Sequence, residues 1–183
     1  MSNDETPDFN IGDDYFSIFS LPRGYDIARA ALKPVYIQLQ QNVHPDRFVN
    51  ADETLQNLAV KKTAYLNQAY DTLKSPVKSA IYLLELAAVD LNLDSETTVD
   101  VPFLQMQLEM REALSEVDQQ DDPWERLDEL SAAAKSDTTL FQNEFSLRYQ
   151  EQAWPEAIQV INKLMFVDKF LQEVKHKAEM LEN

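Results

Sequence analysis

Glycine occurs only twice in this 183-residue chain, and proline eight times. A sandwich or barrel of short strands needs a turn roughly every eight to twelve residues, and glycine supplies many of those turns. A long unstructured linker also draws on glycine and proline. Both architectures are disfavoured. The chain reads as helices punctuated at few points, with no internal repeat, no low-complexity tract and no sustained strand-like alternation.

The punctuation predicts the elements. Residues 1–12 have little to bury and are expected to be disordered. The run Asp13 to Leu21 predicts a short helix with acids at its start, where the helix dipole favours them. Leu21-Pro22-Arg23-Gly24 is a turn. Asp26 can cap a helix that places Ala28, Leu32, Val35, Tyr36, Leu39 and Val43 on one face. Pro34 falls about two turns inside that helix, which predicts a kink or a shorter helix. Pro45 ends it, because the residue before a proline avoids the α region. Leu55, Leu58, Ala59, Lys62, Tyr65, Ala69 and Leu73 mark a second long helix, closed by Ser75-Pro76. An apolar helix follows from Val77 to Val89. Residues 90–102 read as a linker. Three more helices are expected at 102–118, 123–149 and 154–181, each with a proline near its first turn.

The formal net charge of −16 disfavours nucleic acid and anionic membranes as partners. The charge is unevenly spread. Residues 1–14 hold five acids and no base, residues 15–89 hold eight bases and six acids, and residues 90–183 hold eight bases and 21 acids. A near-neutral front part joined to a strongly acidic back part suggests two regions with different partners. With no cysteine there can be no disulfide, thiolate metal site or cysteine nucleophile. Two histidines leave little for an imidazole metal cage. No apolar run is long enough to cross a membrane, and the acidic start is unlike a secretory or transit peptide, so a cytoplasmic protein is expected. No metal or cofactor is expected.

His44-Pro45-Asp46 lies between two amphipathic helices. Pro45 stiffens the loop, and Asp46 presents an anion on it, for which an arginine of a partner is the natural complement. The plain alternative is that Asp46 caps the following helix and His44 tops a hairpin.

The acidic half offers a second candidate. At about 100° per residue, Phe103, Met106, Met110, Leu114 and Val117 share one face of their helix. Leu104 and Leu108 lie off that face, beside Glu109, Glu112 and Glu116. On the last helix Ala157, Val160, Ile161, Leu164, Val167, Leu171, Val174 and Ala178 form a stripe, and Phe166 points to nearly the opposite side. Two leucines and a phenylalanine off the core stripes, rimmed by glutamates, describe a binding patch if the two helices are neighbours. His176 reads as a surface cation, and Trp124 and Trp154 as core residues at helix starts.

Further residues carry a family resemblance. An Asp-Tyr-Phe run opens the first helix, His44-Pro45-Asp46 is followed by Arg47-Phe48, and Leu66-Asn67-Gln68-Ala69-Tyr70-Asp71-Thr72-Leu73 closes the next helix. This resembles a J-domain, the module that stimulates ATP hydrolysis by DnaK-type chaperones. Residues 13–181 as a whole resemble HscB, the J-protein of iron–sulfur cluster assembly. Ala80-Ile81-Tyr82-Leu83-Leu84, Phe103-Leu104, Gln107-Leu108-Glu109-Met110-Arg111-Glu112 and Lys163-Leu164-Met165-Phe166-Val167-Asp168-Lys169 carry the match. The chain departs from the pattern at Pro34, at Gln38, Gln40 and Gln41 where basic residues are usual, at Val43, and at Met165.

The resemblance implies an all-α protein, elongated or L-shaped. A J-domain helical hairpin with its connecting helix would span 13–89. A linker would span 90–102, and a three-helix scaffold-binding domain 103–183. It implies a co-chaperone that binds an IscU-type scaffold and delivers it to an HscA/DnaK-type ATPase, with no catalytic residues of its own. His44, Pro45, Asp46, Arg29, Lys33 and Arg47 would contact the chaperone. Leu104, Leu108, Glu109, Glu112, Glu116 and Phe166 would contact the scaffold. A J-domain co-chaperone for another client is the alternative. An enzyme using His44 and Asp46 as acid and base has no nucleophile to accompany them.

Overall fold

The computed structural model describes residues 9–91 and 100–182. The expected disorder of 1–12 and the expected linker therefore lie largely outside the described residues. Secondary structure among those residues is helical throughout: α1 (Tyr15–Ile18), α2 (Leu32–Val43), α3 (Glu53–Lys74), α4 (Pro76–Leu86), α5 (Val101–Ser115), α6 (Pro123–Gln150) and α7 (Trp154–Leu181). Short 3-10 turns precede α2 at Arg29–Ala31, follow it at Pro45–Phe48, and follow α5 at Val117–Gln119. The all-α class is as the sequence predicts. The chain divides inside α4, between Leu83 and Leu84, into two compact units.

In the first unit α2 and α3 form an antiparallel hairpin. The Tyr36 hydroxyl donates to Asn67 Oδ1 at 2.8 Å, and Thr63 Oγ1 donates to the Val43 carbonyl at 3.0 Å. Leu32, Leu39, Val43, Ala59, Leu66, Ala69 and Leu73 are buried. Leu55 and Leu58 share the helical period but are exposed. They sit on the first two turns of α3, and the buried run of that helix begins at Ala59. Asp14 caps α1 by accepting the Ser17 N–H. Tyrosines fasten it: the Tyr15 N–H donates to the Tyr82 hydroxyl at 3.0 Å, and the Tyr65 hydroxyl donates to the Asp13 carbonyl at 2.7 Å.

Three expectations change here. α1 is four residues long, not nine. Asp26 does not cap α2, which begins only at Leu32 with Ala31 at its N-cap. Pro34 thus lies in the first turn, where its missing N–H would have had no intrahelical acceptor. Order begins earlier than Asp13: Phe9 is 3% exposed, with Lys62 Nζ 5.4 Å from its ring centre. An aromatic residue in an acidic stretch is enough to fix that stretch when it has a pocket to fill.

The second unit is a three-helix bundle. α6 and α7 run antiparallel and supply most of its core. Leu127, Leu130, Ala134, Phe141 and Phe145 of α6 are buried, as are Ala157, Val160, Ile161, Leu164 and Val167 of α7. Asp122 caps α6 by accepting the N–H groups of Trp124 and Glu125. α5 is seated more lightly. Its inward residues Phe103, Met106, Met110 and Leu114 are only half-buried, and no residue of the helix is fully buried.

Candidate functional sites

His44 has an extended backbone, φ −61° and ψ 129°, as the residue before Pro45 must. It ends α2. Pro45–Phe48 then form a single 3-10 turn. The Asp46 N–H donates to His44 Nδ1 at 3.3 Å, and the Asp46 carboxylate lies 3.5 Å from the same nitrogen. The Asp46 side chain is 86% exposed. It does not cap α3, because Asp52 does that by accepting the Leu55 N–H at 2.9 Å. With no capping duty, Asp46 stands as an exposed anion on a fixed turn.

The turn is tied down on both sides by residues that helical periodicity does not single out. Thr63 holds the last carbonyl of α2. Gln56 Nε2 donates to the carbonyls of Val49 and Ala51 at 3.2 and 3.0 Å. Arg47 folds back, its Nη1 donating to the Gln41 carbonyl at 3.2 Å. Arg29 and Lys33 do not join this group. They lie at the opposite end of α2, roughly 16 Å away along its axis at 1.5 Å per residue. Lys33 is exposed. Arg29 is half-buried, its guanidinium 4.9 Å from the Tyr25 ring centre and its Nη2 donating to the Tyr25 carbonyl. Burial pushes the Tyr25 hydroxyl up to about 12.

On α5, Leu104 and Leu108 are 52% and 58% exposed. Glu109, Glu112 and Glu116 are exposed beside them. Among the described residues none of these glutamates has a cation partner. Glu109 accepts instead from Gln105 Nε2 at 2.8 Å. Val101, 64% exposed, falls between Leu108 and Glu112 on the helical wheel and extends the apolar strip. A helix start placed at Pro102 hides it. The helix begins one residue earlier, capped by Asp100, which accepts the Phe103 N–H at 3.0 Å.

Phe166 does not belong to that exposed strip. It is 9% exposed, 5.7 Å from the Phe103 ring, 6.3 Å from Phe170 and under the Arg111 guanidinium at 5.5 Å. The single-stripe reading fails because α7 is packed on two sides. One face meets α6. The other, carrying Lys163, Phe166 and Phe170, lies beneath α5. Phe166 supports the helix that displays Leu104 and Leu108.

Comparison with known proteins gives a consistent result. Residues 99–175 match the family model of the HSCB C-terminal oligomerisation domain. A co-chaperone protein HscB homolog of Shewanella loihica is 36% identical over 170 residues, covering 91% of this chain and 98% of the relative. One from Aeromonas hydrophila is 35% identical over 91% of this chain and 97% of its own length. Among solved structures, chaperone HscB from Vibrio cholerae superimposes with a TM-score of 0.80 at 30% identity, over 92% of this chain and 99% of that one. Human co-chaperone protein HscB gives a TM-score of 0.73 at 26% identity, over 93% and 86%. Full-length similarity at this level, over the same all-α fold, makes the chain a member of the HscB co-chaperone family.

Proposed function

We propose that the chain binds an IscU-type iron–sulfur scaffold through α5 and presents it to an HscA/DnaK-type chaperone, whose ATPase it stimulates through the His44-Pro45-Asp46 turn. The observation that carries this is the strip on α5. Apolar side chains stand exposed on a helix that is itself lightly seated, and uncompensated glutamates border them. Such a strip buries area against a partner, while the glutamates steer a basic surface into register. The Asp46 carboxylate supplies the complementary function in the first unit. It is an anion on a turn held from both sides, suited to a bidentate arginine. Lys33, far along α2, acts as a separate cationic contact. Arg47 and Arg29 serve first to hold their own backbone. The chain does no bond-breaking itself, and it acts in the cytoplasm. We also infer, from the description of the matched family model, that the second unit self-associates.

The test is ATPase stimulation of the chaperone with and without scaffold. Leu104→Ala with Leu108→Ala should leave the scaffold-free stimulation intact and remove the added effect of scaffold. If the scaffold effect persists undiminished, α5 is not its docking helix. A co-chaperone for another client would then be the better reading.

A further inference from the structure

Unlike α6 and α7, α5 has no fully buried residue. Apolar packing alone therefore seats it weakly, and a few directed contacts set its place. The most central of these is at its start. Asp100 Oδ1 accepts the Phe103 N–H at 3.0 Å, and Oδ2 lies 3.0 Å from Lys163 Nζ on α7. One carboxylate thus starts α5 and ties it to its neighbour. The Asp100 carbonyl also accepts the Leu104 N–H at 3.0 Å, so the exposed Leu104 stands on the turn that this residue fixes. Lys163 is itself well held. Its side chain is 19% exposed, with the Phe103 and Phe141 ring centres 5.9 and 5.6 Å from the nitrogen. Phe103 in turn meets Phe141 and Phe166 edge-on, at 6.3 and 5.7 Å. Residues of α5, α6 and α7 all converge on this one lysine. The Lys177–Asp118 pair lies past the far end of α5, beyond the point where the helix breaks, and does not touch the first turn.

We propose that Lys163 and Asp100 are positioning residues for scaffold binding, their pair holding the first turn of α5 where Leu104 and Leu108 meet the scaffold. The inference rests on the docking of scaffold to α5 proposed above and names what sets that surface. A helix end opens first where few apolar contacts hold it, and the first turn of α5 is such an end. Lys163 has little free surface to offer a partner, because the carboxylate and two rings already cover it. It acts through the helix it holds. Scaffold binds the seated form of α5, so its apparent affinity falls with the fraction of chains in which the helix is seated. The coupling runs both ways, and bound scaffold holds α5 in its seat.

The test is titration of the full chain with an IscU-type scaffold protein, beside chaperone ATPase rates and amide exchange. Lys163→Met and Asp100→Asn should each weaken scaffold binding by about two- to fivefold, the range open to one partly exposed ion pair. Asparagine keeps the cap, so this reads the pair and not the helix start. The double variant should bind no more weakly than either single, because both remove the same pair. Lys163→Arg should restore binding. The half-saturating scaffold concentration should rise, while the ATPase rates without scaffold and at saturating scaffold hold. The Phe103 and Leu104 N–H groups should exchange faster in Lys163→Met, with the core amides of α6 and α7 unchanged. Saturating scaffold should slow them in the wild type. Wild-type affinity in both single variants overturns the proposal. If Leu104→Ala with Leu108→Ala loses binding in the same series, docking on α5 still stands. Undiminished binding by that leucine variant overturns the docking and this proposal with it. Weakening by Lys163→Met but not by Asp100→Asn makes the lysine a direct contact and overturns its positioning role.

Discussion

Lys163 Nζ lies 3.0 Å from Asp100 Oδ2, joining the middle of α7 to the residue that caps α5. The lysine is 19% exposed, with the Phe103 and Phe141 ring centres 5.9 and 5.6 Å from its nitrogen. Asp118 and Lys177 make a similar link at the other end, after α5. A helix with no fully buried residue is thus held in place at its two ends by ion pairs.

The first prediction follows from that pair. The Phe103 N–H, then Lys163, hold the Asp100 carboxyl below its ordinary value, against a smaller opposing effect of burial. A carboxylate with a depressed folded-state value stabilises above its unfolded value, near 3.8, and loses that contribution as pH falls through the lower folded value. Asp100→Asn keeps a capping side chain and removes the charge. The melting-temperature difference between wild type and this variant should therefore be constant near neutrality and shrink below about pH 4. The pair is partly exposed, so its loss at neutral pH should amount to about 1 kcal/mol. A difference that grows on acidification contradicts the assignment.

Phe166 and the exposed leucines should separate in a paired measurement. Truncating a buried phenylalanine costs about 3–5 kcal/mol, and Phe166→Ala should approach the lower figure because Arg111 covers only one side. Leu104→Ala and Leu108→Ala should each change stability by less than about 0.5 kcal/mol, as exposed substitutions do. Each should weaken scaffold binding by about 1–2 kcal/mol, as interface anchors do. Calorimetric melting and titration of scaffold on the same samples check both. If the leucine variants melt early and bind normally once folded, the strip is packing rather than interface.

The contrast between these residues marks how much the sequence exposes. A single apolar stripe locates α3, α5, α6 and α7 to within a few residues, because proline or aspartate marks their starts and Asp52, Asp100 and Asp122 all cap. By contrast, α2 begins six residues after Asp26, which does not cap it. Leu104 and Leu108 are found by the same periodicity. Phe166 is misplaced because a wheel shows angle, not which neighbour occupies it, and α7 has neighbours on two faces. Arg29 is placed with the loop by resemblance, yet stands at the far end of α2, since periodicity carries no distance along the axis. Thr63 and Gln56 send no sequence signal. Their roles exist only once α3 lies beside the loop.

Asp46→Asn should abolish stimulation of the partner ATPase while shifting stability by less than about 0.5 kcal/mol, because the side chain is exposed. Thr63→Val removes the donor to the Val43 carbonyl. It should cost about 1 kcal/mol, the net worth of one such hydrogen bond, and lower stimulation without abolishing it. Steady-state ATPase rates beside thermal melts decide the matter. Full stimulation by Asp46→Asn excludes the turn as the contact.

Glycine is scarce in this chain, and other residues end its helices. Among the described residues three helices end in the Schellman pattern, in which one N–H reaches five residues back and its predecessor three. The pairs are Leu21 to Phe16 with Ser20 to Ser17, Val89 to Leu84 with Ala88 to Glu85, and Ala153 to Arg148 with Gln152 to Tyr149. The pivotal residue of each has positive φ: Ser20 at 54°, Ala88 at 55° and Gln152 at 57°. That conformation costs an L-residue about 1–2 kcal/mol relative to glycine, which adopts it freely. Part of the gain from glycine is offset by the larger freedom it gives the unfolded chain, about 0.4–1 kcal/mol. Ala88→Gly and Gln152→Gly should therefore each stabilise the protein by roughly 0.5 kcal/mol, although glycine usually weakens a helical protein. The two sites lie at the ends of different helices, so their effects should add. Denaturant unfolding of the single and double variants measures this. A loss of stability at both sites would mean that the left-handed turns relax at little cost, and that the chain gives up nothing by ending these helices without glycine.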